Sequence, residues 1–316
     1  MFPTFTDDDI LEIRGAKNPV RHDRAYAFHV EPECGANGKV EDVATLFLTN
    51  RECPFRCLMC DLWKNTTDER VPFGAIPDQI DHAFLQMPEL RRAKHIKLYN
   101  SGNFFDAQAI PPGDWEAIAE RVRHYDTVIV ENHPKLCGDK CVKFRDILGT
   151  QLEIAIGLET IHPDVLPRLN KQMTADDFRK AVEFLVENDI RVRTFVLLRP
   201  PFLSEEEGVE WAVKSIEFAF DCGVSCCAVI PTRAGNGIME TLAMNGQFTP
   251  PKLESLEYVL RHGIDMVRGR VFADLWDIEQ FADCDKCVAE RKERLNRINL
   301  TQQLLPPVEC DCESSQ

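Results

Sequence analysis

The chain has 316 residues, 44% hydrophobic and 28% charged, with 37 Lys and Arg against 52 Asp and Glu for a formal net charge of −15. This globular composition excludes a disordered or collagen-like chain. The acidic balance also argues against a protein that depends on its own basic stripe to hold phosphate polymers.

Residues 1–42 begin with an acidic segment and form an N-terminal extension of weak periodicity. No apolar run approaches the roughly 20 residues that span a bilayer, so the expectation is a cytoplasmic chain without a signal peptide or membrane contact. From Thr45 onward, short β-rich runs alternate with helical patterns. The runs cover 45–50, 95–100, 127–132, 152–158, 190–198 and 225–230. Thr174 caps a helix whose apolar stripe is Phe178, Ala181, Val182, Leu185 and Val186, and Ser204 with Glu207 forms a capping box for a helix reaching about Phe220.

Strands joined by helices run parallel. Six such units predict an α/β fold, a partial (β/α)6 barrel over residues 43–246, because a complete eight-unit barrel takes about 250 residues. A doubly wound open sheet is the rival, and in both arrangements functional groups collect at the C-terminal strand ends. Residues 247–316 form a C-terminal extension with a helix from Lys252 to about Val267, a late strand near 271–275 and a cysteine-bearing tail.

Thirteen cysteines cannot all pair, which favours metal or redox chemistry over a disulfide framework. Cys53, Cys57 and Cys60 form a C-x3-C-x2-C triplet in the loop after the first predicted strand. A loop this short can wrap three corners of a cubane iron–sulfur cluster, leaving one iron open to an exogenous ligand. Chance placement, or a zinc with a distant fourth ligand, is the alternative. A second group pairs Cys284 and Cys287 with Cys310 and Cys312 across an Arg- and Glu-rich segment expected to be helical. That spacing suits tetrahedral zinc or an auxiliary iron–sulfur cluster. Cys226 and Cys227 read as packing residues, and Cys137 and Cys141 as structural residues sharing a helix face.

With Met59 at the position before the last cysteine, the triplet resembles the C-x3-C-x-Φ-C signature of the radical S-adenosylmethionine (SAM) superfamily, and the resemblance extends over about Thr45 to Gly246. It implies a partial barrel in which a 4Fe-4S cluster binds SAM at its open iron. Reductive cleavage of SAM then yields a 5′-deoxyadenosyl radical that abstracts hydrogen from substrate, with a reducing partner such as ferredoxin or flavodoxin. It also implies SAM contacts. Met59 lies near the adenine, and Ser101, Gly102 and Asn103 replace a turn that receives the SAM amino group. The plain reading of that turn is a βα connection needing Gly102 at positive φ. Glu159, in Gly157-Leu158-Glu159-Thr160, faces SAM or pairs with Arg193, and Arg193 is a candidate to grip the SAM carboxylate. Glu131 and His133 reach the same mouth as substrate contacts.

The stretches Lys97 to Asp106 and Arg199 to Glu206 are similar to one branch, the radical SAM subunit of archaeosine synthase and its bacterial relatives. The archaeal enzymes of that branch act on a lysine-modified deazaguanine in tRNA. Three functions follow as expectations: a radical SAM enzyme for a small molecule or modified nucleobase, the same chemistry on tRNA with a basic partner subunit, or a non-catalytic iron–sulfur or zinc protein.

Overall fold

The computed structural model describes residues 4–310. Eight strands lie side by side in chain order: β1 (Ala27–Cys34), β2 (Val40–Phe47), β3 (His95–Tyr99), β4 (Thr127–Asn132), β5 (Gln151–Glu159), β6 (Arg191–Leu198), β7 (Cys226–Pro231) and β8 (Arg270–Ala273). From β2 to β8 every neighbouring pair is parallel, since each connection returns through a helical segment. The sheet curls into a half-barrel, the architecture expected from the six β/α units, which are β2 to β7. Its strand order never reverses, so the doubly wound alternative is excluded.

The N-terminal segment, weakly patterned in sequence, supplies β1, which pairs antiparallel with β2. Gly38, at φ 75°, turns the chain between them, where Gly35 N–H donates to the Lys39 carbonyl at 2.7 Å. The C-terminal segment supplies β8 beside β7. The one sheet thus draws on all three expected segments.

The expected first run, 45–50, is displaced: β2 ends at Phe47. Leu48 N–H still donates to the Tyr99 carbonyl at 2.7 Å, but Thr49 N–H turns to the buried Gln79 side chain at 2.8 Å. The chain therefore leaves the sheet just before the cysteine triplet.

Thr174 and Ser204 form full capping boxes with Asp177 and Glu207, at the starts of helices Ala175–Glu187 and Glu205–Cys222. Each cap contributes about 1 kcal/mol. Phe178, Ala181, Val182 and Leu185 bury the predicted stripe of the first helix, whereas Val186 is exposed.

Inside the half-barrel the sequence gives no warning of a charged layer. Glu33 of β1 accepts from Lys97 of β3 at 2.6 Å and from Arg193 of β6 at 2.8 Å. Arg193 also pairs with Glu153 of β5, and Arg270 of β8 approaches Glu153 at 3.7 Å. Charges this deeply buried persist only because each has a partner of opposite sign.

The helix Val288–Thr301 contacts both β1 and β8, the two ends of the sheet. Its Asn299 amide bonds both N–H and carbonyl of Ala273, at 2.9 and 2.8 Å, and Gln302 does the same for Val271, at 2.8 and 3.0 Å. Two side-chain amides thus occupy the outer backbone groups of β8. No helix among the described residues is long and apolar enough to cross a membrane.

Candidate cofactor site at the C-terminal strand ends

The triplet loop is fixed from several sides. Its entrance is held by Glu52, which meets Arg14 at 2.6 Å, Lys17 at 2.8 Å and Arg56 at 3.2 Å. Leu58 N–H donates to the Leu169 carbonyl at 2.8 Å. Asn170, in the left-handed region at φ 49°, donates to the Arg56 carbonyl at 2.8 Å, and the Asn236 amide reaches the carbonyls of Leu58 at 2.7 Å and Cys60 at 3.2 Å. Asn236 was not singled out from sequence; its place in the turn Gly235-Asn236-Gly237 was the available signal.

Cys53, Cys57 and Cys60 line one pocket of 360 Å³ with Glu131, Glu159 and Lys171, a volume in the small-ligand range. Burial, and then neighbouring thiols, push Cys53 and Cys57 up to about 11 and Cys60 up to about 12. Without a metal the three are neutral thiols, and a soft cation would reverse this by taking up the thiolates. Two groups suit that outcome. The Asn103 amide donates to Cys53 Sγ at 3.1 Å, and the Lys171 ammonium acts on Cys53 and Cys57 in the direction that favours thiolate.

Lys171 is buried and pairs with Glu159 at 2.7 Å. Burial opposes its charge, but Glu159 and then the Cys57 thiol raise its pKa. Glu159 stands at φ 65°, where the register of β5 against β6 shifts, so the backbone is strained where this carboxylate enters the mouth. Of the partners considered for Glu159, Arg193 does not fill the role; the Lys171 ammonium does. Arg193 lies in the charged layer with Glu33 and Glu153 and does not line the pocket, unlike the position expected of a SAM contact.

The Ser101-Gly102-Asn103 turn also differs from expectation. Ser101, not Gly102, takes the positive φ, 52°, and its hydroxyl lies 3.0 Å from the Tyr26 hydroxyl. Gly102 packs beside the first cysteine: a Cβ there would make an ordinary contact with the Cys53 Cβ at 3.4 Å. Glu131 braces the turn by accepting from Asn100 N–H at 2.5 Å and Gly102 N–H at 3.3 Å. Met59 lines the same pocket and packs on a core cluster around Leu58 and Leu197.

His133 stacks on Phe55 with ring centroids 3.8 Å apart. Its Nε2 lies 2.9 Å from the Lys171 carbonyl, and its Nδ1 accepts from Lys135 N–H at 3.2 Å. This network assigns the proton to Nε2, and burial followed by Lys171 drives the pKa down to about 3. The ring is therefore a neutral wall of the pocket rather than a base. Cys137 precedes the helix Asp139–Leu148 instead of sharing its face, although its sulfur still meets Cys141. Cys226 and Cys227 are buried packing residues.

Burial pushes Glu131 up to about 7 despite its backbone donors. A carboxyl whose folded pKa lies above its unfolded value near 4.5 stabilises the fold at low pH, and this contribution is lost as pH rises through about 7. Because Glu131 still borders the open pocket, the expected loss is about 1–2 kcal/mol. Urea unfolding from pH 4 to pH 8 should show this decline in the parent protein and a flatter profile for Glu131→Gln. Parallel profiles would place the titration elsewhere.

No family model matches the chain. The cysteine triplet at the rim of a half-barrel, the fold and the relatives below bear out the resemblance to the radical SAM superfamily. It is 25% identical to an uncharacterized protein of Methanocaldococcus jannaschii, over 85% of this chain and 80% of the relative. It is also 27% identical to archaeosine synthase subunit beta of Methanosarcina acetivorans, over 70% and 67% of the two chains. Against the protein of that description from Thermococcus kodakarensis identity is 31%, over 51% of each chain, so the match spans about half the length of that relative.

Among solved structures, Elp3 of Methanocaldococcus infernus aligns with TM-score 0.52 at 17% identity, over 70% of this chain and 59% of that one. Methylornithine synthase (PylB) aligns with TM-score 0.50 at 14% identity, over 99% and 97%. These likenesses establish the fold.

Proposed function

We propose that the protein is a radical SAM enzyme in which Cys53, Cys57 and Cys60 hold a 4Fe-4S cluster and SAM occupies the adjoining pocket. The observation that carries this reading is that three half-buried cysteines, the Asn103 donor and the Glu159–Lys171 pair all line or face one 360 Å³ space. When bound, the cluster and SAM together supply the electron transfer and carbon–sulfur cleavage that generate a hydrogen-abstracting radical.

The chain's own residues then bind and shield. Asn103 tempers the charge on the Cys53 sulfur, and Lys171 offsets negative charge beside the cluster. Glu131 fixes the turn at Asn100 to Gly102, so its backbone and the Ser101 hydroxyl offer polar contacts to the ligand. The Phe55–His133 stack closes one wall against water. Near the mouth, Phe47 lies between Tyr26 and Tyr99, with ring centroids 5.6 and 6.2 Å away. Such a row suits a flat substrate, a small heteroaromatic molecule or a modified nucleobase.

A second reading, a subunit acting on a modified base in tRNA, is favoured by relatives whose names mark them as subunits of archaeosine synthase. With a net charge of −15, tRNA affinity would come from a basic partner. Partner-dependent, salt-sensitive tRNA binding supports this reading over a free small molecule.

Anaerobic reconstitution with iron and sulfide, followed by reduction in the presence of SAM, should give 5′-deoxyadenosine and methionine in equal amounts. Failure to assemble a redox-active cluster, or assembly without SAM cleavage, would overturn the enzymatic reading.

A further inference from the structure

A second sulfur cluster lies away from the pocket. Cys284, Cys287 and Cys310 have sulfurs all within 4.8 Å of one another, and Cys284 Sγ lies 3.8 Å from Cys310 Sγ. The fold brings these residues together from distant positions. Cys287 caps the helix Val288–Thr301, which ends at Gln302 in the left-handed region at φ 52°. The chain then reverses and runs back along the helix, where Arg294 donates to the carbonyls of Leu305 at 2.9 Å and Pro306 at 2.6 Å. That clamp returns Cys310 to the helix start.

The spacing selects among ligands. Four thiolates about 2.3 Å from a single zinc, at tetrahedral angles, stand about 3.8 Å apart. On a cubane each thiolate binds a different iron and points outward, so its sulfurs stand wider apart than a single-metal edge. The surroundings supply positive charge. Arg291 lies against the Cys287 sulfur and is oriented by Glu257 at 3.1 and 2.8 Å, and the first-turn N–H groups of the helix face the same end.

We propose that Cys284, Cys287 and Cys310 bind one structural zinc ion. As zinc binds, the thiols release their protons to water. Cys312, in C-x-C spacing with Cys310, lies outside the described residues, and three sulfurs define the site without it.

The test uses the full chain, purified anaerobically and loaded with zinc alone, with metals counted by mass spectrometry and the zinc shell read by X-ray absorption. The expected result is one zinc per chain with at least three sulfur ligands. Cys287→Ser and Cys310→Ser should lose the zinc yet still take up iron at the first triplet, whereas Cys57→Ala should keep its zinc. Should the serine variants fail to fold, cobalt loading of Cys57→Ala, whose first triplet is broken, replaces them, and intense thiolate-to-cobalt charge-transfer absorption from the tail sulfurs is expected. Absence of that absorption, iron in place of zinc, fewer than three sulfurs, or zinc retained by both serine variants would each refute the site. So would a Cys284–Cys310 disulfide in the freshly isolated protein. The readout is metal content and coordination, so loss of SAM cleavage leaves it untouched.

Discussion

Cys57→Ala is expected to abolish cluster assembly and SAM cleavage while leaving the fold intact. Cys57 is the middle donor of the triplet and lines the pocket beside Cys53 and Cys60. With one thiol gone, two adjacent donors cannot hold three corners of a cubane. Activity should fall to the uncatalysed background, and the absorption of the reconstituted cluster should be lost. The fold should tolerate the change, because the loop is positioned by backbone contacts through Leu58, Asn170 and Asn236 rather than by the thiol. Equal production of 5′-deoxyadenosine by parent and variant would exclude this triplet as the site.

Lys171→Met should be the most destabilising single change near the pocket. It leaves the buried Glu159 carboxylate without its ammonium partner at 2.7 Å, a kind of break that costs about 3–5 kcal/mol. Converting both partners to apolar residues, in a Lys171→Met and Glu159→Leu double variant, should restore much of that stability because no unpaired charge remains. SAM binding should not return with it, since the polar wall is gone. Urea unfolding of the singles and the double separates the two effects. A single variant as stable as the parent would mean that Glu159 finds another partner. Gly157→Ala probes the same pair sterically: a Cβ there would lie 2.6 Å from Lys171 Nζ and also collide with the Glu159 carboxylate.

Local signals carried much of this site. Six short apolar runs separated by capped helices predicted the half-barrel, and three cysteines within eight positions predicted its rim. Side-chain partners depended on alignments that no local pattern encodes. Arg193 looked available to a ligand because its neighbours within β6 say nothing of Glu33, which comes from the weakly patterned N-terminal segment and meets it across the half-barrel. Lys171 was visible in sequence, but its bond to Glu159 depends on the bulge that sets Glu159 at φ 65°. Ser101 takes the turn geometry assigned to Gly102, and its hydroxyl meets that of Tyr26, a partner from the N-terminal segment that no local pattern reveals. In the tail, spacing alone left zinc and an auxiliary cluster open, and it could not show that the chain reverses after Gln302 to bring Cys310 beside Cys284.

The side-chain amides of Asn299 and Gln302 have a consequence beyond local order. By filling the hydrogen-bonding positions of β8 they act as a counterfeit ninth strand, so the half-barrel ends without offering a template to another molecule. Detachment of their helix would uncover that margin and leave the backbone groups of Val271 and Ala273 open to pairing with another chain.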